Sequence, residues 1–273
     1  MLLSSKPKIN EVIVSLLAAG PVDTLDLLTQ TKNRTKVSKT GFYKALRELL
    51  AEEVVTKNKQ TVLLSTIWVN KVASFTEDVQ NHYLAKASEQ ILSLSEGDSM
   101  TFKFKSILDL DILWMHYFYM IVKQIDAPVL FYTYHEFWSL FRSDLQNQMY
   151  QWIKTNNKKT YFVIGNNSPL DIETTKPHKS YGLEIAYESK TTLSPNIGFT
   201  IIGDYIFNTI IDATTIHAID ALYVKYQKWQ PSIATELNEI ISRMRRSKVV
   251  IERNKKKAEM LRKKLMKYFV FYK

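Results

Sequence analysis

Residues 37–55 read VSKTGFYKALRELLAEEVV, and the spacing within this stretch decides the fold of the first part of the chain. Phe42, Ala45, Leu46 and Leu49 fall three and four residues apart, which places them on one face of a helix. Ser38 stands just before them, a residue whose hydroxyl accepts from the unpaired N–H groups of a first helical turn. The opposite face then carries Lys39, Thr40, Tyr43, Lys44 and Arg47. These are cations for phosphates and hydrogen-bonding groups for base edges, the composition of a helix that enters a DNA major groove.

Working outward from this helix, Ile9, Val12, Ile13, Leu16 and Leu17 predict a first helix over about 8–19, stopped by Gly20-Pro21. Asp23 or Thr24 can cap a short second helix that carries Leu25, Leu27 and Leu28. After the third helix, Val54-Val55-Thr56 and Thr61 to Ser65 read as two strands. Between them lie Lys57, Asn58, Lys59 and Gln60, with Asn58 suited to the turn and a basic tip facing the same polyanion. Three helices and a hairpin make residues 1–70 a winged helix-turn-helix, and Ser38, Lys39, Thr40, Tyr43, Lys44, Arg47, Lys57, Asn58 and Lys59 its DNA-binding set. A winged helix used for protein contact is the other reading of this pattern.

The segment resembles the winged-helix domains of TrmB-like regulators, whose third helix has the form T-x-x-Y-x-x-L-x-x-L followed by valine. Thr40, Tyr43, Leu46, Leu49 and Val54-Val55 occupy those places. Glu52-Glu53 stand where such proteins commonly have glycine, which implies a wider turn into the first wing strand.

From Val69 to Glu96 there is no glycine or proline, and Val72, Phe75, Val79, Tyr83, Ala87, Ile91 and Leu94 keep helical steps. Residues 71–97 therefore read as a linker helix ended by Gly97. Such a helix either packs on its own chain or pairs with a copy of itself, as in regulators that read palindromes.

Strand and helix then alternate: MTFKFKS, ILDLDILWMHYFYMIVKQ, PVLFYTY, HEFWSLFRSDLQNQMYQWIKTNN and KTYFVIG. GLEIAYES, a hairpin over 196–212 turning at Gly203-Asp204, and a helix over about 215–229 follow. Residues 98–230 thus predict an α/β effector or dimerisation domain with a parallel sheet and an antiparallel addition, so the chain as a whole is α/β plus winged helix. This order resembles the phospholipase-D-like effector domain that follows the winged helix in TrmB-like regulators. Active members of that superfamily use H-x-K, with the histidine attacking phosphorus and the lysine offsetting the developing charge. The residues two places after His82, His116, His135, His178 and His217 are Leu84, Phe118, Phe137, Ser180 and Ile219. With no H-x-K, Gly-rich phosphate loop, G-x-S-x-G or H-E-x-x-H, the expectation is a domain that is not an enzyme, with no cofactor and no metal.

Ligands of open α/β domains bind beyond the carboxyl ends of the strands. His135 follows the strand ending at Tyr134, and Tyr132, Tyr134, Trp138 and Arg142 lie nearby, so these five are the candidate pocket for an aromatic, sugar or anionic effector. The bland alternatives are a His135 that only begins a helix and aromatics that are only core. His178, near Asp171 and Glu173, lacks the ligand spacing of a metal site and reads as part of a solvated loop.

Residues 231–273 carry Ile233, Leu237, Ile240, Met244, Ser247, Ile251, Asn254, Ala258, Leu261, Leu265 and Tyr268 at steps of four and three, the seam of a coiled coil. Asn254 would fix its register, flanked by Arg243, Arg245, Arg246, Lys248, Arg253 and Lys255 to Lys257. DNA, the acidic middle of the chain or an anionic membrane surface could answer that charge.

Charge is segregated. Residues 1–75 hold 11 Lys/Arg against 6 Asp/Glu, residues 76–230 hold 13 against 17, and residues 231–273 hold 13 against 4. Polyanion binding therefore belongs to the two ends. The absence of cysteine excludes disulfides, thiolate metal sites and cysteine nucleophiles. No stretch of about 18 uncharged apolar residues is present, and the first residues lack the apolar core of a secretory signal, so a cytoplasmic location is expected. The reading is a sequence-specific, double-stranded-DNA-binding transcriptional regulator, a homodimer, with a small-molecule effector as a further partner. A structural or plasmid-maintenance DNA-binding protein is the first alternative, and a nucleic-acid-cleaving enzyme the second.

Overall fold

A computed structural model describes residues 8–79, 82, 85–188, 193–243 and 245–270. The chain divides between Lys86 and Ala87 into two compact units. In the first, α1 (Ile9–Leu17) buries Val12, Ile13, Leu16 and Leu17, as their spacing requires. A two-residue strand, β1 (Val22–Asp23), follows, and Asp23 caps α2 (Thr24–Thr35) by accepting from the Leu25 amide at 2.8 Å. Ser38 caps α3 (Lys39–Ala51) through the Gly41 amide at 3.1 Å. Phe42, Ala45, Leu46 and Leu49 face inward, joining α1, α2 and the strands in one apolar core.

β2 (Val55–Asn58) and β3 (Thr61–Leu64) form the expected antiparallel hairpin, with β3 between β1 and β2. The sequence reading missed β1, which is too short to show a period. It also assigned the turn to Asn58, whereas the left-handed residue is Lys59, at φ 54°. Glu53 takes φ 57°, so the position where glycine was expected has the glycine conformation with a glutamate in it. α4 (Thr66–Asp78) buries none of its residues. The linker helix expected over 69–96 reaches Asp78 in α4 and resumes as α5 (Ala85–Leu92). Tyr83 and its neighbours at 80, 81 and 84 lie outside the described residues. The helical run ends at Leu92 rather than at Gly97, because Asp98 accepts from the Ser95 amide and turns the chain.

The second unit is built on a seven-stranded mixed sheet. Its elements are β4 (Ser99–Phe104), α6 (Ile107–Gln124), β5 (Val129–Thr133), α7 (Trp138–Phe141), α8 (Ser143–Thr155), β6 (Thr160–Ile164), α9 (Pro169–Thr175), a 3₁₀ turn (Lys176–Tyr181) and β7 (Leu183–Tyr187). β8 (Ile197–Ile202), β9 (Tyr205–Ile210), α10 (Ala213–Lys225), α11 (Pro231–Ser242), β10 (Ser247–Arg253) and α12 (Lys255–Val270) complete it. The sheet order is β4-β10-β9-β8-β5-β6-β7. Among the described residues only β5-β6-β7 are paired in parallel, and every other pairing of this sheet is antiparallel. The alternation of strand and helix located the elements, and the expected parallel sheet with an antiparallel addition is found as parallel β5-β6-β7 extended by antiparallel β8, β9, β10 and β4, with β4 four places from β5.

One face of the sheet packs on α6 and α8 through Phe118, Phe131, Tyr150, Phe162 and Phe207. The other packs on Ala258, Leu261 and Leu265 of α12. A third cluster joins α10 and α11 with Ile107, Phe137 and Leu170.

The largest correction concerns residues 231–273, which are not one coiled-coil helix. Ser247, Val249 and Ile251 are buried alternately in β10, which pairs on both sides, with β4 and with β9. The β-branched run Val249-Val250-Ile251 favours a strand. Ser247 and Ile251 lie four apart, which satisfies a helical step and a period of two equally; Val249, buried and off the seam, is the residue that discriminates. Asn254 does not fix a register. Its side chain accepts from the Lys257 amide at 2.9 Å and caps α12. Met244 of the expected seam lies outside the described residues.

Candidate functional site

Two regions hold the residues singled out in the sequence. On α3, Ser38, Lys39, Thr40, Lys44 and Arg47 are exposed, while Tyr43 is half-buried and meets Phe42 edge to face at 5.3 Å. Lys57, Asn58 and Lys59 are exposed at the β2–β3 turn. Among the described residues none of these cations forms an ion pair. A row of lysine and arginine without acidic partners, held by a helix whose other side is locked in a core, is free to meet an anionic surface without first breaking contacts.

The second region is the carboxyl edge of β5, β6 and β7, where the parallel strands deliver the residues that follow them. His135, just beyond β5, is 3% exposed and lies between two carboxylates. Its Nδ1 is 2.8 Å from Asp171 Oδ2 and its Nε2 is 3.0 Å from Asp220 Oδ1. The ring stacks on Tyr223 at 4.1 Å between centroids. Asp171, fully buried, also accepts from the Glu136 amide at 2.9 Å and from Ser168 Oγ at 2.7 Å. A buried carboxylate with three donors is well compensated. With both ring nitrogens facing carboxylates, His135 in this arrangement is a clamp between α9 and α10, with no lone pair turned toward a ligand.

Beside this cluster a cleft is lined by Asp111, Trp114, Phe131, Tyr132, Tyr134, His135, Glu136, Trp138 and Asn196, among others. Four of the five expected pocket residues line it. The fifth, Arg142, stands behind it, its Nη1 3.7 Å from Asp111 Oδ2. Tyr132 donates to Glu188 at 3.2 Å, and Tyr134 accepts from Asn166 at 3.2 Å. Burial, and then the negative charge of Asp220, raise the Tyr134 hydroxyl above its ordinary pKa. Asp111 is 2% exposed, and burial pushes its carboxyl up to about 6 against the opposing effect of Arg142.

Two expectations are corrected here. His135 does not begin a helix, since α7 starts at Trp138 and breaks from α8 at Arg142, whose backbone leaves the helical region. The loop around His178 is not solvated: it forms α9 and the 3₁₀ turn. His178 is buried there against Tyr150, 3.2 Å from Ser139 Oγ. The carboxylates that line the cleft are Asp111 and Glu136. Sequence reasoning missed Asp220 altogether and gave Asp111 no role. Ser168-Pro169-Leu170-Asp171, a capping box with proline at the first helical position, was the available signal that Asp171 opens a helix at this edge.

Among the described residues no group of three or more His, Asp or Glu is placed to hold a metal ion, and no helix is long and apolar enough to cross a membrane. No protein-family model matches the chain, and no curated protein matches it in sequence. In structure it is similar to TrmBL2, an archaeal chromatin protein whose structure shows a novel mode of DNA binding. That match has 13% identity, spans 96% of this chain and 92% of that one, and has a TM-score of 0.37. It is also similar to NucT from Helicobacter pylori, at 8% identity over 63% of this chain and 96% of that one, with a TM-score of 0.41. Nuc from Salmonella typhimurium, a phospholipase D family member, matches at 9% identity over 63% of this chain and 95% of that one, with a TM-score of 0.36. The expectation of a domain that is not an enzyme, drawn from the missing H-x-K, is withdrawn, since the chains of similar fold include a phospholipase D family member. At these identities the likeness is one of fold alone.

Proposed function

We propose that the protein binds double-stranded DNA as a transcriptional regulator. The first unit is a winged helix whose α3 enters the major groove, with the β2–β3 turn as the wing. The observation that carries this reading is the exposed face of α3, where Lys39, Thr40, Lys44 and Arg47 stand together and none of the cations has an acidic partner among the described residues. Lys44 and Arg47 are assigned to phosphates and base edges, Ser38 and Thr40 to hydrogen bonds at the helix start, and Lys57, Asn58 and Lys59 to the flanking backbone. The half-buried Tyr43 contributes its hydroxyl edge only.

The regulator is a homodimer in this reading, and α4 is the element that supports pairing. It buries none of its residues and exposes Ile67, Val69, Val72 and Phe75. The second unit is a phospholipase-D-like domain that senses a small effector at the carboxyl edge of its sheet.

A second reading, DNA binding with little sequence choice, is favoured by α12, which exposes Lys255, Lys256, Lys263 and Lys267. Titration of labelled DNA from upstream of the protein's own reading frame, with unrelated DNA as competitor, separates the two. Binding that survives competitor supports the regulator, and binding erased equally by any DNA supports the second reading. Absence of binding removes both.

A further inference from the structure

Asp111 is the anomaly of the second unit. It is 2% exposed, lines the cleft at the sheet edge, and its Oδ2 accepts no hydrogen bond among the described residues. The nearest cation, Arg142, is 3.7 Å away, beyond hydrogen-bond reach, and its side chain keeps 22% of its surface in water. Leaving a carboxylate buried and unanswered is costly, and the upward displacement of its titration expresses that cost. Asparagine or leucine would fill the same place without it. Buried acids retained at such cost in clefts mark sites where a ligand completes the pairing.

The other charged groups of the lining are already engaged. Glu136 accepts from the Ser139 amide and hydroxyl, at 3.2 and 2.7 Å, and His135 is held between Asp171 and Asp220. The open capacity of the cleft is therefore acceptor capacity at one carboxylate, among the aromatic side chains of Trp114, Phe131, Tyr134 and Trp138. An anion would meet Asp111 and Glu136. A neutral apolar ligand would leave Asp111 as it is. A cation with an apolar body answers the charge and uses the aromatic walls, whose faces attract positive charge.

We propose that this cleft binds a small organic ammonium ion, an amine with an apolar body whose N–H donates to Asp111 while the body lies against the aromatic walls. The inference deepens the effector-sensing part of the proposed function and rests on that assignment only for its consequence at DNA.

Calorimetric titration of the full chain with isobutylammonium, isobutanol and isobutyrate, three molecules of nearly one shape and different charge, tests it. The ammonium ion is expected to bind about 10- to 100-fold more tightly than the alcohol, the gain of one charge-assisted hydrogen bond. Asp111→Asn should abolish that preference, and Arg142→Gln, which removes the competing charge, should tighten ammonium binding several-fold. Equal binding of ammonium and alcohol, tighter binding of isobutyrate, or an Asp111→Asn protein that keeps the preference would overturn the inference. If Asp111→Asn does not fold, weaker ammonium binding by Arg142→Gln overturns it instead. The DNA titration repeated with saturating ammonium reads the other assignment: selective binding with unchanged DNA affinity leaves the amine site standing and removes the effector role.

Discussion

The exposed face of α3 and the cluster around His135 are both polar, yet they are built on opposite principles. On α3 the cations stand in water, and their helix is held by the apolar residues behind them. Each costs little to keep and is free to act. Around His135 the groups are buried except for the half-exposed Asp220, and a buried charge needs a partner: Asp171 has three donors, His135 two acceptors, and Asp111 one distant arginine. The exposed face of the first region makes none of the contacts that hold its helix, whereas at the second the polar cluster and the packing are the same contacts.

The sharpest way to break this comparison is a pair of alanine substitutions. His135→Ala leaves Asp171 buried without its ring partner and should cost about 3–5 kcal/mol in denaturant unfolding of the second unit. Arg47→Ala on the exposed face should change stability by no more than about 0.5 kcal/mol. Similar losses from both would erase the distinction.

Asp111 gives the next largest effect, read in pH. Its pKa is raised from 3.8 to about 6 in the folded protein. The folded state therefore holds the proton more tightly, and stability falls as pH rises through this window. The full displacement corresponds to roughly 3 kcal/mol, absent below the lower value and complete above the upper one. Asp111→Asn should remove this slope between about pH 4 and 6 while leaving other carboxylates to titrate. An unchanged slope would show that Asp111 is answered by contacts other than Arg142.

A smaller effect tests the last third of the chain. Asn254→Ala removes the cap of α12 and should cost about 1 kcal/mol. Asn254→Leu, which would strengthen a coiled-coil seam, should be destabilising here as well. Stabilisation by leucine would restore the continuous helix.

These differences explain what the sequence made legible. Helix α3 is local: four apolar residues at helical spacing and one serine define its core face, its cap and, by subtraction, its exposed cations. The cluster is not local. Asp171 lies 36 positions from His135 and Asp220 85 positions away, and no single-chain periodicity links them. Strand order is equally non-local: β4 lies four places from β5 although it is the preceding strand in the chain, and β10, which stands between β4 and β9, was missed. In β10 the failure was one of aliasing, since Ser247 and Ile251 fit periods of four and of two alike and only the burial of Val249 separates them.

The central claim is that the exposed face of α3 meets DNA phosphates and bases. Anisotropy of labelled upstream DNA, titrated with the full chain and with the Lys44→Ala/Arg47→Ala double variant across a salt series, tests it most directly. The account predicts weaker binding by the double variant and a log-log salt slope shallower by about 2, one for each lost phosphate contact. A double variant with unchanged affinity and slope would contradict the account.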